Sequence, residues 1–176
     1  PTQLLRSALG RFEPWLGPET VVVSCSKGLE EGTGLLPTQV VGELLAPPGP
    51  LVVLSGPSHA EEVARGLPAS VVVASRSAAA AGAVQALLSS DHFRVYTSED
   101  PVGVELGGAL KNIIALAAGI SDGLGLGDNA KSALMARGLA EIARFGEALG
   151  AGAATFQGLS GLGDLVTTCV SPHGRN

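Results

Sequence analysis

The sequence predicts an α/β chain in two parts: a parallel sheet covered by helices over residues 1–98, then an all-helical part over residues 99–176. Three observations predict it. Short β-branched runs alternate with helical patterns as far as Thr97. Beyond Asp100 the strand pattern stops, and apolar residues recur at helical spacing over long stretches. The 25 glycines, against an aromatic fraction of 3%, point to tight turns and closely packed small residues.

The elements follow in order. Residues 3–12 place Leu4, Leu5, Ala8, Leu9 and Phe12 at helical spacing. Residues 20–25 are a short β-branched strand. Residues 36–45 read as a helix with Pro37 near its start. A second strand, 50–54, ends at Ser55-Gly56-Pro57-Ser58. A short helix follows over 58–65, with Ser58 as N-cap and Glu61 completing a capping box. Residues 69–74 are a third strand, 77–88 an Ala-rich helix and 93–97 a fourth strand. Strands alternating with helices predict parallel pairing. In the second part, 105–118 is a helix and 119–127 a glycine-rich loop. Asp128 caps a long helix, 129–149, with Leu134, Gly138, Ile142, Phe145 and Leu149 as its apolar stripe. Glu141, Arg144 and Glu147 on another face read as solvated ion pairs. A Gly/Ala break at 150–153 leads to a short helix, 165–169.

Composition narrows the function classes. A hydrophobic fraction of 45% supports a large core and excludes disorder. The net charge of −5, with no basic block, argues against nucleic acid as a partner. Apolar runs fall short of the ~20 residues of a membrane span. Cys25 and Cys169 lack metal or disulfide spacing and read as core thiols in a reducing compartment, consistent with a cytoplasmic protein. The chain starts at Pro1 inside a helical pattern and stops at Asn176 after a polar turn, so a fragment of a longer chain is expected.

Five groups could carry chemistry. The foremost is Lys111, followed by Asn112, in a helix. Lys111 shares its face with Val104, Gly107, Gly108, Ile114, Ala115 and Ala118, and no acid lies three or four residues away. Desolvation there would lower its pKa toward that of a proton donor or acceptor, with Gly107 and Gly108 leaving room for a ligand. The alternative is a lysine that snorkels to solvent. Lys27, in Ser24-Cys25-Ser26-Lys27-Gly28, follows the first strand, where open parallel sheets bind ligands; it is equally a solvent lysine on a turn. Gly56 and Ser58 follow the second strand and could hold an anion, or serve as turn and cap. Asp164, near Thr167 and Thr168, could orient a lysine or substrate hydroxyl, or cap 165–169. Gly174-Arg175-Asn176 presents a guanidinium suited to phosphate, or a free chain-end arginine. No G-x-G-x-x-G follows a strand, and no Walker loop, zinc spacing or serine elbow occurs.

Six segments, in order and in register, carry a resemblance. They are Ser26-Lys27-Gly28-Leu29-Glu30, Gly56-Pro57-Ser58-His59-Ala60, Gly107-Gly108-Ala109-Leu110-Lys111-Asn112, Gly127-Asp128-Asn129-Ala130-Lys131, Gly161-Leu162-Gly163-Asp164-Leu165 and Gly174-Arg175-Asn176. Together they resemble the bacterial NAD(P)-dependent glycerol-3-phosphate dehydrogenases. The resemblance implies a Rossmann-like sheet whose N-terminal part lies upstream of Pro1, and a helical substrate domain that continues beyond Asn176. It implies NAD or NADP as cofactor, hydride transfer between dihydroxyacetone phosphate and sn-glycerol 3-phosphate, and supply of glycerol phosphate for phospholipid synthesis. By position Lys111 matches the proton donor. Lys27, Gly56, Ser58, Lys111, Asn112, Asp164, Thr168, Gly174, Arg175 and Asn176 match substrate-site positions. Lys27, Ala60 and Arg175 match cofactor contacts. Gly174 stands where many relatives have Ser, which leaves a backbone contact there. The implied partner is a small phosphate-bearing substrate; separately, the apolar, glycine-rich second half leaves a helical homodimer interface open. Two rivals stay open: a reductase of another hydroxy acid, and a non-catalytic nucleotide-binding or dimerising module. A fragment without the glycine fingerprint is expected to be inactive alone.

Overall fold

The computed structural model describes residues 1–45 and 49–171. Gly174, Arg175 and Asn176 therefore lie outside the described residues. The first part opens with a 3₁₀ turn, Thr2–Leu4, and helix α1, Leu5–Leu9. It then builds two βαβ units. Strand β1 (Val22–Ser24) crosses through α2 (Pro37–Leu44) to β2 (Leu51–Ser55). Strand β3 (Ala69–Ala74) crosses through α4 (Ala78–Leu88) to β4 (Phe93–Ser98). The strands lie in the order β1-β2-β3-β4.

Pairing corrects the all-parallel expectation. β1 with β2 and β3 with β4 are parallel, but β2 and β3 are antiparallel, with Val53 opposite Ala74 and Ser55 opposite Val72. The connection 56–68 carries only the four-residue helix α3 (Ala60–Val63), so no covering crossover forms and the chain reverses. Gly56 makes the reversal with φ of +130°, and a Cβ there would stand 3.1 Å from Val71 Cα.

Side-chain alternation splits the strand residues between two cores. Val52, Val71, Val73 and Val95 pack under Ala80, Ala81 and Val84 of α4. Val53, Val72 and Ala74 point the other way, onto Val104 and Leu159 of the second part. That part consists of α5 (Pro101–Gly123), α6 (Gly127–Ala148), α7 (Ala153–Phe156), a π-helical turn (Leu159–Gly163) and α8 (Asp164–Val170). Leu106, Ile142, Ala151 and Phe156 form its core together with Leu36, which precedes α2.

Some local expectations change. Helix α5 runs past the expected 105–118 at both ends, with Asp100 capping it by accepting from Gly103 N–H at 2.8 Å and Pro101 in its first turn. Its length and apolar composition are enough to cross a membrane, but half of its most apolar window is buried inside this fold. The same character serves a helix wedged between the sheet and α8. Ser58 does not cap α3; His59 occupies the cap position, and the Ser58 hydroxyl donates to Gly56 O at 3.4 Å. The α6 stripe buries Gly138, Ile142 and Gly146 while Phe145 and Leu149 stay exposed. Cys25 is exposed and Cys169 half-buried, so they are free thiols but not core ones.

Candidate active site

The site is assembled where α5 passes the ends of β1 and β2. Two adjacent glycines let it do so. A Cβ on Gly107 would lie 2.6 Å from the Ser160 carbonyl oxygen, and one on Gly108 would lie 2.8 Å from Ser55 Oγ and 3.4 Å from Lys27 Cγ. The backbone of the π-helical turn and the aliphatic stem of Lys27 thus rest directly on the helix. One turn beyond Gly108, Lys111 is 8% exposed. Val104, Gly107, Gly108, Ala115 and Ala118 on its face are buried with it, as the spacing predicts.

The partner absent from the local sequence arrives from 53 residues on. Asp164 begins α8 immediately after the π-helical turn, an irregularity frequent at functional sites. It is 3% exposed. Lys111 Nζ donates to Asp164 Oδ1 at 2.5 Å and to Thr168 Oγ1 at 2.7 Å. The Thr168 hydroxyl donates in turn to the Asp164 carbonyl oxygen at 2.7 Å, so its lone pairs face the lysine. Lys27 Nζ donates to Asp164 Oδ2 at 2.6 Å and to Gly56 O at 3.4 Å. Asp164 is therefore not a side-chain helix cap but an anion shared by two ammonium groups.

The cluster of two cations and one anion keeps a net positive charge. Burial holds the Lys111 ammonium below its ordinary pKa, and the neighbouring Lys27 charge pushes the same way, while Asp164 opposes both. A lysine so placed gives up a proton more readily than a solvated one. Burial pushes the nearby Cys169 thiol up, away from a nucleophilic thiolate.

Lys27, Gly56, Ser58, Lys111, Asp164 and Thr168 thus meet in one place. Ala60 stands exposed at the start of α3, past the same end of β2. Asn112, beside Lys111, is exposed, and its side chain makes no hydrogen bond among the described residues. A cleft of about 380 Å³ lined by Ser70, Tyr96, Thr155 and Leu159 lies on the sheet face, and no member of the lysine–aspartate cluster lines it. No group of three or more His, Cys, Asp or Glu among the described residues is placed to hold a metal ion. The sequence reading missed Glu105 and Asp100, which join α5 to its neighbours. The signal for Glu105 was an acid between Val104 and Leu106 in a helix with a small-residue face.

Family models match both parts. The model described as NAD-dependent glycerol-3-phosphate dehydrogenase N-terminus matches residues 1–81, and the corresponding C-terminus model matches residues 100–176. Glycerol-3-phosphate dehydrogenase (NAD(P)+) of Desulfitobacterium hafniense is 56% identical over all of this chain and 50% of its own length. The Clostridium tetani protein of the same name is 52% identical over the same shares. The crystal structure of glycerol-3-phosphate dehydrogenase from Coxiella burnetii superposes with a TM-score of 0.94 at 42% identity, over 99% of this chain and 53% of that one. The Plasmodium falciparum enzyme gives 0.90 at 26% identity, over 97% and 49%. The chain spans about half the length of the curated relatives it matches. With a Rossmann-like sheet, a helical second part and both family models in register, the chain belongs to the NAD-dependent glycerol-3-phosphate dehydrogenase family.

Proposed function

We propose that the full protein interconverts dihydroxyacetone phosphate and sn-glycerol 3-phosphate with NAD or NADP, in the cytoplasm, supplying glycerol phosphate for phospholipids. The observation that carries this reading is the buried Lys111, bonded to Asp164 and Thr168 and held below its ordinary pKa beside a second lysine. Residues 1–98 are then the dinucleotide-binding side and 99–176 the substrate side.

The residues present suit a nicotinamide cofactor in part. The parallel strands β1 and β2 end side by side, where such sheets bind nucleotides. Gly56 and Ala60 put no bulk beyond those ends, and Lys27 keeps 29% of its side chain exposed there. Lys27 and Ala60 would hold the cofactor from this side, together with Arg175. A bound reduced nicotinamide supplies the hydride.

The chain's own residues do the rest. Protonated Lys111 donates a hydrogen bond to the substrate carbonyl oxygen and then gives up the proton from Nζ as negative charge develops there. Asp164 fixes the Nζ direction, and Thr168 accepts a second Nζ hydrogen. Lys27 adds positive charge at the same oxygen side. Gly56, Ser58, Asn112, Gly174, Arg175 and Asn176 complete the substrate site, with Arg175 as phosphate anchor and Gly174 offering only backbone. Pairing of two copies through the helical part belongs to the same proposal and would be read by light scattering on the full chain.

The test follows nicotinamide absorbance with the full chain, comparing dihydroxyacetone phosphate with phosphate-free dihydroxyacetone. Oxidation of the reduced cofactor that requires the phosphate supports the reading. Equal rates with both, or oxidation only with another hydroxy-acid precursor, would move the assignment to a different reductase. Failure to bind either cofactor would favour a non-catalytic module.

A further inference from the structure

Glu105 is a carboxylate only 3% exposed, on α5 between Val104 and Leu106. Among the described residues no Lys, Arg or His forms an ion pair with it. Its two oxygens go instead to one residue of the sheet part: Oε1 accepts from Thr38 N–H at 2.8 Å and Oε2 from the Thr38 hydroxyl at 2.6 Å. Burial pushes its carboxyl pKa up, against these two hydrogen bonds.

The geometry at Thr38 explains the contact. Helix α2 begins at Pro37, which has no N–H, after Leu36, whose side chain offers no oxygen to cap it. Gln39 accepts from the Leu36 N–H at 2.9 Å, and Val40 N–H finds Leu36 O at 3.0 Å. The Thr38 N–H would remain without a partner, and Glu105 supplies one from the other part of the molecule. The positive end of α2 favours an anion there.

Position along two chains gives the contact its consequence. Glu105 stands six residues before Lys111, about 9 Å along the helix. Thr38 ends the segment that begins at Lys27, whose stem rests on Gly108. The Lys27 segment is thus fastened to α5 at two places, at Gly108 by packing and at Glu105 by hydrogen bonds. We propose that Glu105 is a positioning residue: by capping α2 from α5 it sets the register in which Lys27 and Lys111 meet Asp164. The kinetic part of this inference rests on the function proposed above.

The experiment uses the full chain and compares Glu105→Ala, Glu105→Gln and Thr38→Val, with rates normalised to folded protein. An ångström of misplacement at a catalytic pair lowers turnover by about 10²-fold, which is the kcat loss expected for Glu105→Ala. A positioning role predicts a fall in kcat larger than any rise in KM. Gln retains an oxygen for the Thr38 N–H and an amide for its hydroxyl, so Glu105→Gln recovers most of kcat; Thr38→Val falls between the two. If Glu105→Ala does not fold, the Gln and Val variants carry the comparison. A lowered melting temperature with unchanged kcat per folded molecule would reduce Glu105 to a structural role and overturn the proposal, as would equal kcat losses in Glu105→Ala and Glu105→Gln.

A substrate-free reading separates this inference from the functional one. The Lys111 pKa is followed by NMR of ¹³C-methylated lysines, with its signal assigned by Lys111→Arg. Loosened register admits water and moves that pKa up in the variant that lost kcat, whether or not dihydroxyacetone phosphate is the substrate. An unmoved Lys111 titration in Glu105→Ala, or in Thr38→Val should the former not fold, overturns the proposal on its own.

Discussion

The sheet part and the helical part are held together in different ways. In the sheet part, burial of β-branched side chains dominates: Val52, Val71, Val73 and Val95 are sealed under the small residues of α4. The helical part relies on absent side chains. Gly107 admits the Ser160 carbonyl, Gly108 admits Lys27 and Ser55, and Gly146 admits the ring of Phe156. The first arrangement makes a platform that ends in loops bearing Lys27, Gly56 and Ser58. The second brings Asp164 from α8 within bonding distance of Lys111 on α5. A shared carboxylate between two lysines needs backbones that approach closely, and glycine is the residue that permits it.

Breaking the charge cluster should have the largest effect. Asp164→Asn leaves two ammonium groups facing an amide that can accept from only one of them. Because Lys27 can still reach water, the loss should sit near the low end for a broken buried pair, about 3 kcal/mol. Chemical denaturation would measure it, and an unchanged midpoint would mean that the lysines do not depend on this anion. Gly107→Ala comes next. Its Cβ meets the Ser160 backbone rather than a movable side chain, so overpacking should cost about 1–3 kcal/mol. Gly82→Ala is the counterpart in the sheet part: its Cβ would meet nothing within 4 Å, and the helix should gain roughly 0.5–1 kcal/mol. Similar losses at both glycines would erase the contrast drawn here.

A subtler test concerns charge. Reduction needs protonated Lys111, so kcat/KM should fall as pH rises through its pKa, which lies below the ordinary 10.5. The Lys27 charge is one cause of that lowering. Lys27→Met removes it and should move the basic limb of the profile upward. A limb that stays in place would show that the Lys27 charge does not contribute to the Lys111 proton affinity, leaving burial and Asp164 to set it.

Much of this was legible in the residues. The β-branched run over 69–74 and the helical spacing around Lys111 gave strand and buried face correctly, because both patterns are local. The antiparallel turn between β2 and β3 was not legible, since it depends on how Gly56 and the short α3 steer the chain. Asp164 could be read as cap or partner, and only the tertiary fold chooses. Glu105 was passed over because an acid inside an apolar helix shows its use only when the neighbouring helix end is in view.

The central claim is that Lys111, poised by Asp164 and Thr168, supplies the proton. Turnover of dihydroxyacetone phosphate by the full chain, beside its Lys111→Ala variant with folding checked by thermal melting, tests it most directly. The account predicts a loss of about 10²-fold or more in kcat with the fold intact. Near-normal turnover in that variant would contradict it.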